Sequence, residues 1–276
     1  MPLTAAFVAN PLAFATTRPI GVDERDIAGV KPAAGVGQNQ VLGSVNYIFD
    51  WSMVPFGGTE ALLTIHRDTV VGRQRAYFLP WEANAAITMD VGGAANYFFT
   101  STLTGCSVRA QAKPNGMVTL THANAKAAYG AVFTPSSTKT GVDLDELQQA
   151  DRMATAAAIG NMNAMMPPVG GGLSRTVTKR DYAAKVTDGH LRTARRRINP
   201  GNGERVKTLN AAITSGKPEV SAFVYGIRNV ANNTWSFWLQ STVQVTGQLE
   251  RGVLHKKTRL IYGQSVVLGA PVQFYP

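Results

Sequence analysis

The chain has 276 residues, of which 45% are apolar and 16% charged, and it carries a formal charge of +10. That length and composition suit a chain with a sizeable core and exclude a solvating, disordered polymer. Its single cysteine, Cys106, excludes an internal disulfide and a cysteine-rich zinc site.

In chain order, residues 1–40 are rich in Pro, Gly and Ala and lack clear periodicity, which predicts an extended N-terminal arm ahead of one domain spanning 41–276. No basic residue precedes Arg18, so the apolar start is not expected to act as a secretory signal. Strand-like runs follow at 41–50, 61–71, 75–79, 96–103, 107–112, 117–122 and 127–133. Pro114-Asn115-Gly116 separates two of them with the chemistry of a hairpin turn. Asp143 followed by Glu146 marks a helix start, and good helix formers run from Leu144 to about Met165, ahead of Pro167 and Pro168. Leu147, Met153, Ile159, Met162 and Met166 form its expected apolar face. The uncharged run after Arg152 is mostly Ala, Asn and Gly and is not a membrane span. Between Val169 and Lys217 eleven Lys and Arg, including Arg195, Arg196 and Arg197, stand against three acids, so the positive charge is local. Strands return at 220–230, 234–245, 252–262 and 266–275. Strands on both sides of a helical middle predict an α+β fold with a mixed or antiparallel sheet layer.

Cys106 is the residue with chemical potential. It lies in Thr100-Ser101-Thr102-Leu103-Thr104-Gly105-Cys106-Ser107-Val108, where a β-rich run meets a glycine and a second extended run leaves. Gly105 is expected to supply an unusual backbone angle there. A nucleophile on such a corner can present its sulfur together with main-chain N–H groups aimed at a developing oxyanion. His122 lies sixteen positions on, near the end of the strand after the turn. If that strand folds back beside the one leaving Cys106, imidazole and thiol meet and the imidazole can withdraw the thiol proton. His66, His190 and His255 have no comparable setting.

The aromatic run, then Leu103-Thr104-Gly105-Cys106, then the downstream His122, resembles the bacterial deamidase toxins, including the cytotoxic necrotizing factors and Burkholderia lethal factor. Their shared signature is Leu-Ser/Thr-Gly-Cys with a later histidine. The resemblance covers residues 97–123, roughly a tenth of the chain. It implies a β-sandwich of mixed sheets flanked by helices and loops. It also implies deamidation of a glutamine on a host protein through a thioester on Cys106, with no cofactor and no metal. By the same resemblance a third group orients the histidine, which can be a main-chain carbonyl; Thr100 is the candidate, and Asn124 is disfavoured as too close in sequence to turn back onto His122. The implied protein is a monomeric secreted or injected effector that acts in the host cytoplasm, away from membranes.

Two alternatives stay open at this point. A cysteine protease or a transglutaminase uses the same dyad. A non-enzymatic protein would instead use the basic stretch 169–217 on an acidic partner or nucleic acid, although no stacking aromatics are interleaved with its arginines.

Overall fold

The computed structural model describes residues 2–23, 25, 40–44, 47–56, 59–66, 73–132, 144–196, 217–251, 257–262 and 265–276. The expected N-terminal arm is not extended over its described opening. Helices α1 (Leu3–Ala9) and α2 (Pro11–Thr17) form there, and strand β1 (Ile20–Asp23) follows. The local chemistry explains α2: the Asn10 side chain accepts a hydrogen bond from the Ala13 N–H at 3.0 Å, and Pro11 occupies the first helical position. Phe7 and Phe14 anchor both helices in the core.

The other elements are β2 (Gln40–Ser44), β3 (Ile48–Phe56), β4 (Glu60–His66), β5 (Gln74–Leu79), β6 (Ala85–Val91), β7 (Tyr97–Thr100), β8 (Ser107–Ala112) and β9 (Val118–Ala123). Then come α3 (Lys126–Val132), α4 (Leu144–Met165), β10 (Ser174–Val177), α5 (Lys179–Ala183) and α6 (Asp188–Arg196). The chain ends with β11 (Lys217–Asn229), β12 (Thr234–Arg251), β13 (Lys257–Tyr262), β14 (Val266–Val267) and β15 (Val272–Tyr275). The fold is therefore α+β.

Two mixed sheets carry it. The larger runs β1-β4-β3-β5-β7-β11-β12-β13, with β14 and β15 also paired to β12. The smaller runs β10-β8-β9-β6-β2. Parallel pairs occur in both: β1 with β4 and β5 with β7 in the first, β2 with β6 in the second. Alternate side chains of the two sheets meet in one cluster. Phe98, Val224 and Phe237 come from the larger sheet, and Ile87, Met89, Val108 and Leu120 from the smaller. The opposite face of the larger sheet buries Trp51, Phe99 and Tyr225 against Phe7 of α1.

Several expectations change. Residues 127–133, read as a strand, are helical as far as Val132. A run of alanines accepts either state, and packing decides: Ala128 and Tyr129 of α3 sit against the cluster formed by α4 and the smaller sheet. Helix α4 has the expected bounds, and Ile159, Met162 and Met166 of its expected apolar face are packed in the core, while Met153 departs. Ala158, Met162 and Met165, with Met166 just beyond, pack on Ala86, Ala123 and Ala125, whereas Met153 is 59% exposed. The sheet side of this seam is made of alanines, and methionines of the helix fill the space above them. Leu147, Asp143, Arg197, Arg205 and Lys207 belong to expectations that lie outside the described residues or side chains. Among the described residues, no helix is long and apolar enough to cross a membrane.

Candidate active site

The segment that carries Cys106 changes sheets. Strand β7 belongs to the larger sheet and β8 to the smaller, so residues 101–106 cross between them. The crossing is pinned at both ends. The Ser101 N–H donates to the Leu79 carbonyl at 3.1 Å, and the Trp81 N–H donates to Ser101 Oγ at 3.1 Å. Leu103 and Ala222 exchange two main-chain hydrogen bonds, of 2.7 and 2.8 Å. Cys106 is thus delivered immediately before β8, where the ladder begins.

The hairpin then fixes what faces it. Gly116 adopts φ 76° in the Pro114-Asn115-Gly116 turn, and β8 and β9 pair antiparallel with Val108 opposite His122 and Ser107 opposite Ala123. One step further along the same register, Cys106 stands opposite Asn124, whose N–H extends the ladder by donating to the Ala85 carbonyl at 2.9 Å. Cys106 and Val108 point into the inter-sheet cluster, as do Leu120 and Val118. By strand alternation His122 shares their face. Cys106 and His122 are therefore diagonal neighbours on one face, a relation that long and aromatic side chains can span. His122 is 1% exposed and lies between Ile87 and Val108 in register.

Asn124 touches the sulfur directly: its Nδ2 donates to Cys106 Sγ at 3.1 Å. The other end of the amide is also fixed, because Oδ1 accepts from the Lys126 N–H at 3.0 Å and the Asn84 N–H at 3.3 Å. Asn84, at φ 54°, accepts in turn from the Ala127 N–H at 2.6 Å and caps the start of α3. Asn124 is too close in sequence to bend back onto His122. Cross-strand pairing needs no such bend, and it places the amide on the nucleophile instead. The turn residues carried that information, since a hairpin centred on Asn115 sets Cys106 against Asn124.

Thr100 is buried in the larger sheet. Its hydroxyl donates to the Val224 carbonyl at 3.4 Å and accepts from the Val224 N–H at 3.3 Å. Its side chain is thus engaged with β11. Gly105 departs from expectation. Its φ is not in the left-handed region, and a Cβ built on it would meet nothing within 4 Å. The chain bends at Thr104-Gly105 without a left-handed residue, and the glycine leaves space open there.

That space is a cavity of about 510 Å³. Thr104, Gly105, Cys106 and Asn124 line one side, Ala158 and Ile159 of α4 another, and Trp81, Lys126, Tyr129 and Lys179 its rim. Cys106 is 2% exposed as a residue, yet it contributes to this wall. Arg109 holds the end of α4 in place, donating from Nη1 to the Pro167 carbonyl at 3.0 Å and from Nε to Thr176 Oγ1 at 3.1 Å. Behind the nucleophile, the Tyr182 hydroxyl donates to the Cys106 carbonyl at 3.5 Å. Burial, with smaller contributions from charge at Cys106 and Asp181, pushes the Tyr182 phenol far above its ordinary range, so it stays a donor. Lys179 Nζ lies 5.2 Å from the Tyr129 ring centroid, a cation–π contact at the rim. Beyond the count of Lys179 in the basic stretch, Lys126 on α3 and Lys179 and Tyr182 on α5 carried no signal for the site in the sequence, because their role depends on these helices meeting the sheet end. No family model matches the chain, and no curated protein matches it.

Proposed function

We propose that the chain is a cysteine hydrolase of carboxamides, a glutamine deamidase of the bacterial effector kind. The observation that carries this reading is the Asn124 amide on Cys106 Sγ at the wall of an open cavity, with His122 on the same strand face two residues away. Cys106 gives up its proton to His122, and Sγ attacks the carboxamide carbon of a glutamine side chain. The carbonyl oxygen becomes an oxyanion, for which the Cys106 N–H and the Asn124 amide are the nearest candidate donors. As the tetrahedral species collapses, the C–N bond breaks, His122 returns the proton and ammonia leaves, so that a thioester remains. Water, deprotonated by His122, adds to the thioester. The C–S bond breaks, the thiolate recovers the proton, and the product is glutamate. The change on the target is one carboxylate in place of one amide, enough to disable a glutamine that orients a water or a nucleotide.

The carbonyl environment supports the same roles. Tyr182 holds the Cys106 peptide from behind, and the Asn84–Asn124 pair fixes the amide donor, so the nucleophile is placed by main chain and buried groups on rigid strands. The test is Cys106→Ser. It keeps the fold and abolishes a one-dalton gain on a specific glutamine when treated host lysate is read by mass spectrometry. Native protein that leaves every glutamine unchanged, or a serine variant as active as native, refutes the reading. Cleaved peptide bonds or incorporated amines in the same experiment assign the dyad to proteolysis or transglutamination instead.

A further inference from the structure

The cavity beside Cys106 is larger than its proposed reaction requires. Its volume of about 510 Å³ lies in the range that encloses a whole small molecule. At roughly 30 Å³ per non-hydrogen atom, a glutamine side chain takes up about 150 Å³. About two thirds of the space is then left over. The walls are suited to an apolar occupant. Among the described residues, Val22 of β1, Trp81, Ala125, and Ala158 and Ile159 of α4 line the cavity. Trp81 is 37% exposed although its side chain is large and aromatic, so covering it gains apolar burial. Its main chain is fastened to the crossing segment that delivers Cys106, through the hydrogen bond to Ser101 Oγ at 3.1 Å. The aromatic wall and the nucleophile are thus held by the same segment.

We propose that the surplus space is a specificity subsite for a large apolar side chain two residues from the glutamine presented to Cys106. The proposal rests on the deamidase reading for the group that meets the sulfur. Successive side chains of an extended segment point in opposite directions. The residues that share the glutamine's face are therefore two positions away, about 7 Å along the chain. Taken as round, the cavity is about 10 Å across, which admits two such side chains and not a third at about 14 Å. One neighbour, on one side of the glutamine, enters with it. Residues directly adjacent to the glutamine point away from the cavity.

The experiment uses the full chain with Cys106→Ala, which binds without turnover. Four labelled seven-residue peptides have a central glutamine and a single leucine, at position −2, −1, +1 or +2 from it, with serine elsewhere. Affinity is read by fluorescence anisotropy. Burial of a leucine side chain raises affinity roughly tenfold or more. Either the −2 or the +2 peptide is therefore expected to bind at least tenfold more tightly than the −1 and +1 peptides. Adding Trp81→Ala removes most of that preference, with an unchanged thermal melt. Ile159→Ala reads the same wall should Trp81→Ala fail to fold. Equal affinity for the four peptides, a preference for leucine at −1 or +1, or folded variants that keep the preference overturns the proposal. So does turnover of free glutamine by the native protein as fast as that of the preferred peptide. Selective binding of a peptide that the native protein leaves unmodified refutes deamidation and leaves the subsite standing. Deamidation of all four peptides alike refutes the subsite and leaves the chemistry standing.

Discussion

Replacing Asn124 with Asp isolates the contact on the nucleophile. The carboxylate retains an acceptor for the Asn84 and Lys126 N–H groups, so the hairpin end and the start of α3 keep their hydrogen bonds. It removes the one donor that the amide gives Cys106 Sγ and sets an acceptor of negative charge about 3 Å from the sulfur. A hydrogen bond to a charged partner contributes about 1.5–3 kcal/mol. Loss of that stabilisation from the thiolate lowers the reactive fraction roughly ten- to a hundredfold, and repulsion between two anions acts in the same direction. Because the chain has no other cysteine, alkylation by iodoacetamide followed by mass spectrometry reads this one site. The reagent is itself a small carboxamide, well suited to a cavity of this size. The expected result at pH 7 is an alkylation rate at least tenfold below native, with an unchanged thermal melt. Asn124→Asp alkylating within twofold of native, while folded, would show that the amide does not govern the sulfur.

Three further outcomes follow from buried groups. Burial raises the phenols of Tyr182 and Tyr225 above the ordinary value near 10, so the native state holds protons that the unfolded state releases. Stability is therefore fully present below about pH 10 and lost above it. Urea midpoints followed from pH 8 to 11 should fall in the native protein and fall less steeply in Tyr182→Phe or Tyr225→Phe; identical slopes would refute the assignment. The Tyr225 hydroxyl has no hydrogen-bond partner among the described residues, so Tyr225→Phe should leave stability at pH 7 nearly unchanged. Phe7→Ala empties the centre of a cluster in which its ring lies 5.6–5.8 Å from those of Phe14, Trp51, Phe99 and Tyr225. The expected cost is about 3–5 kcal/mol, read by denaturant unfolding; a cost under 1 kcal/mol would mean that α1 does not hold this face closed.

The parts legible in the sequence were those whose signals are local. The helix over 144–165 had start and stop residues at both ends, and the hairpin 107–112/118–123 had its Pro-Asn-Gly turn. Strand β6 (Ala85–Val91) was missed because all of it but Asp90 is buried, so it shows no polar alternation, although Asn84 and Gly92-Gly93 frame it. Helices α1 and α2 were missed although Asn10-Pro11 carries cap chemistry, because the surrounding Pro, Gly and Ala suggested an irregular arm. At the site, the sequence singled out Cys106 and His122 as a pair, and the hairpin register sets them on one face. The place of Asn124 follows from the turn that pairs it with Cys106, whereas the roles of Tyr182 and Lys179 depend on which elements meet, and no local pattern encodes that. Gly105 shows the same limit: its type was noticed, but its use, to leave room, is visible only when the cavity is.

One buried side chain has a consequence for how the protein comes into being. Gln240, on β12, accepts from the Ile20 N–H and donates to the Ala15 and Arg18 carbonyls, so it knots the first twenty residues to a strand from the last sixth of the chain. During synthesis from the amino end, the opening helices emerge more than two hundred residues before that glutamine exists. They wait without their docking partner until β12 leaves the ribosome. Contacts so distant along the chain slow folding, and here they make closure of the outer aromatic layer a late event. A nascent chain truncated ahead of β12 should leave Phe7 and Phe14 accessible to chaperones and proteases.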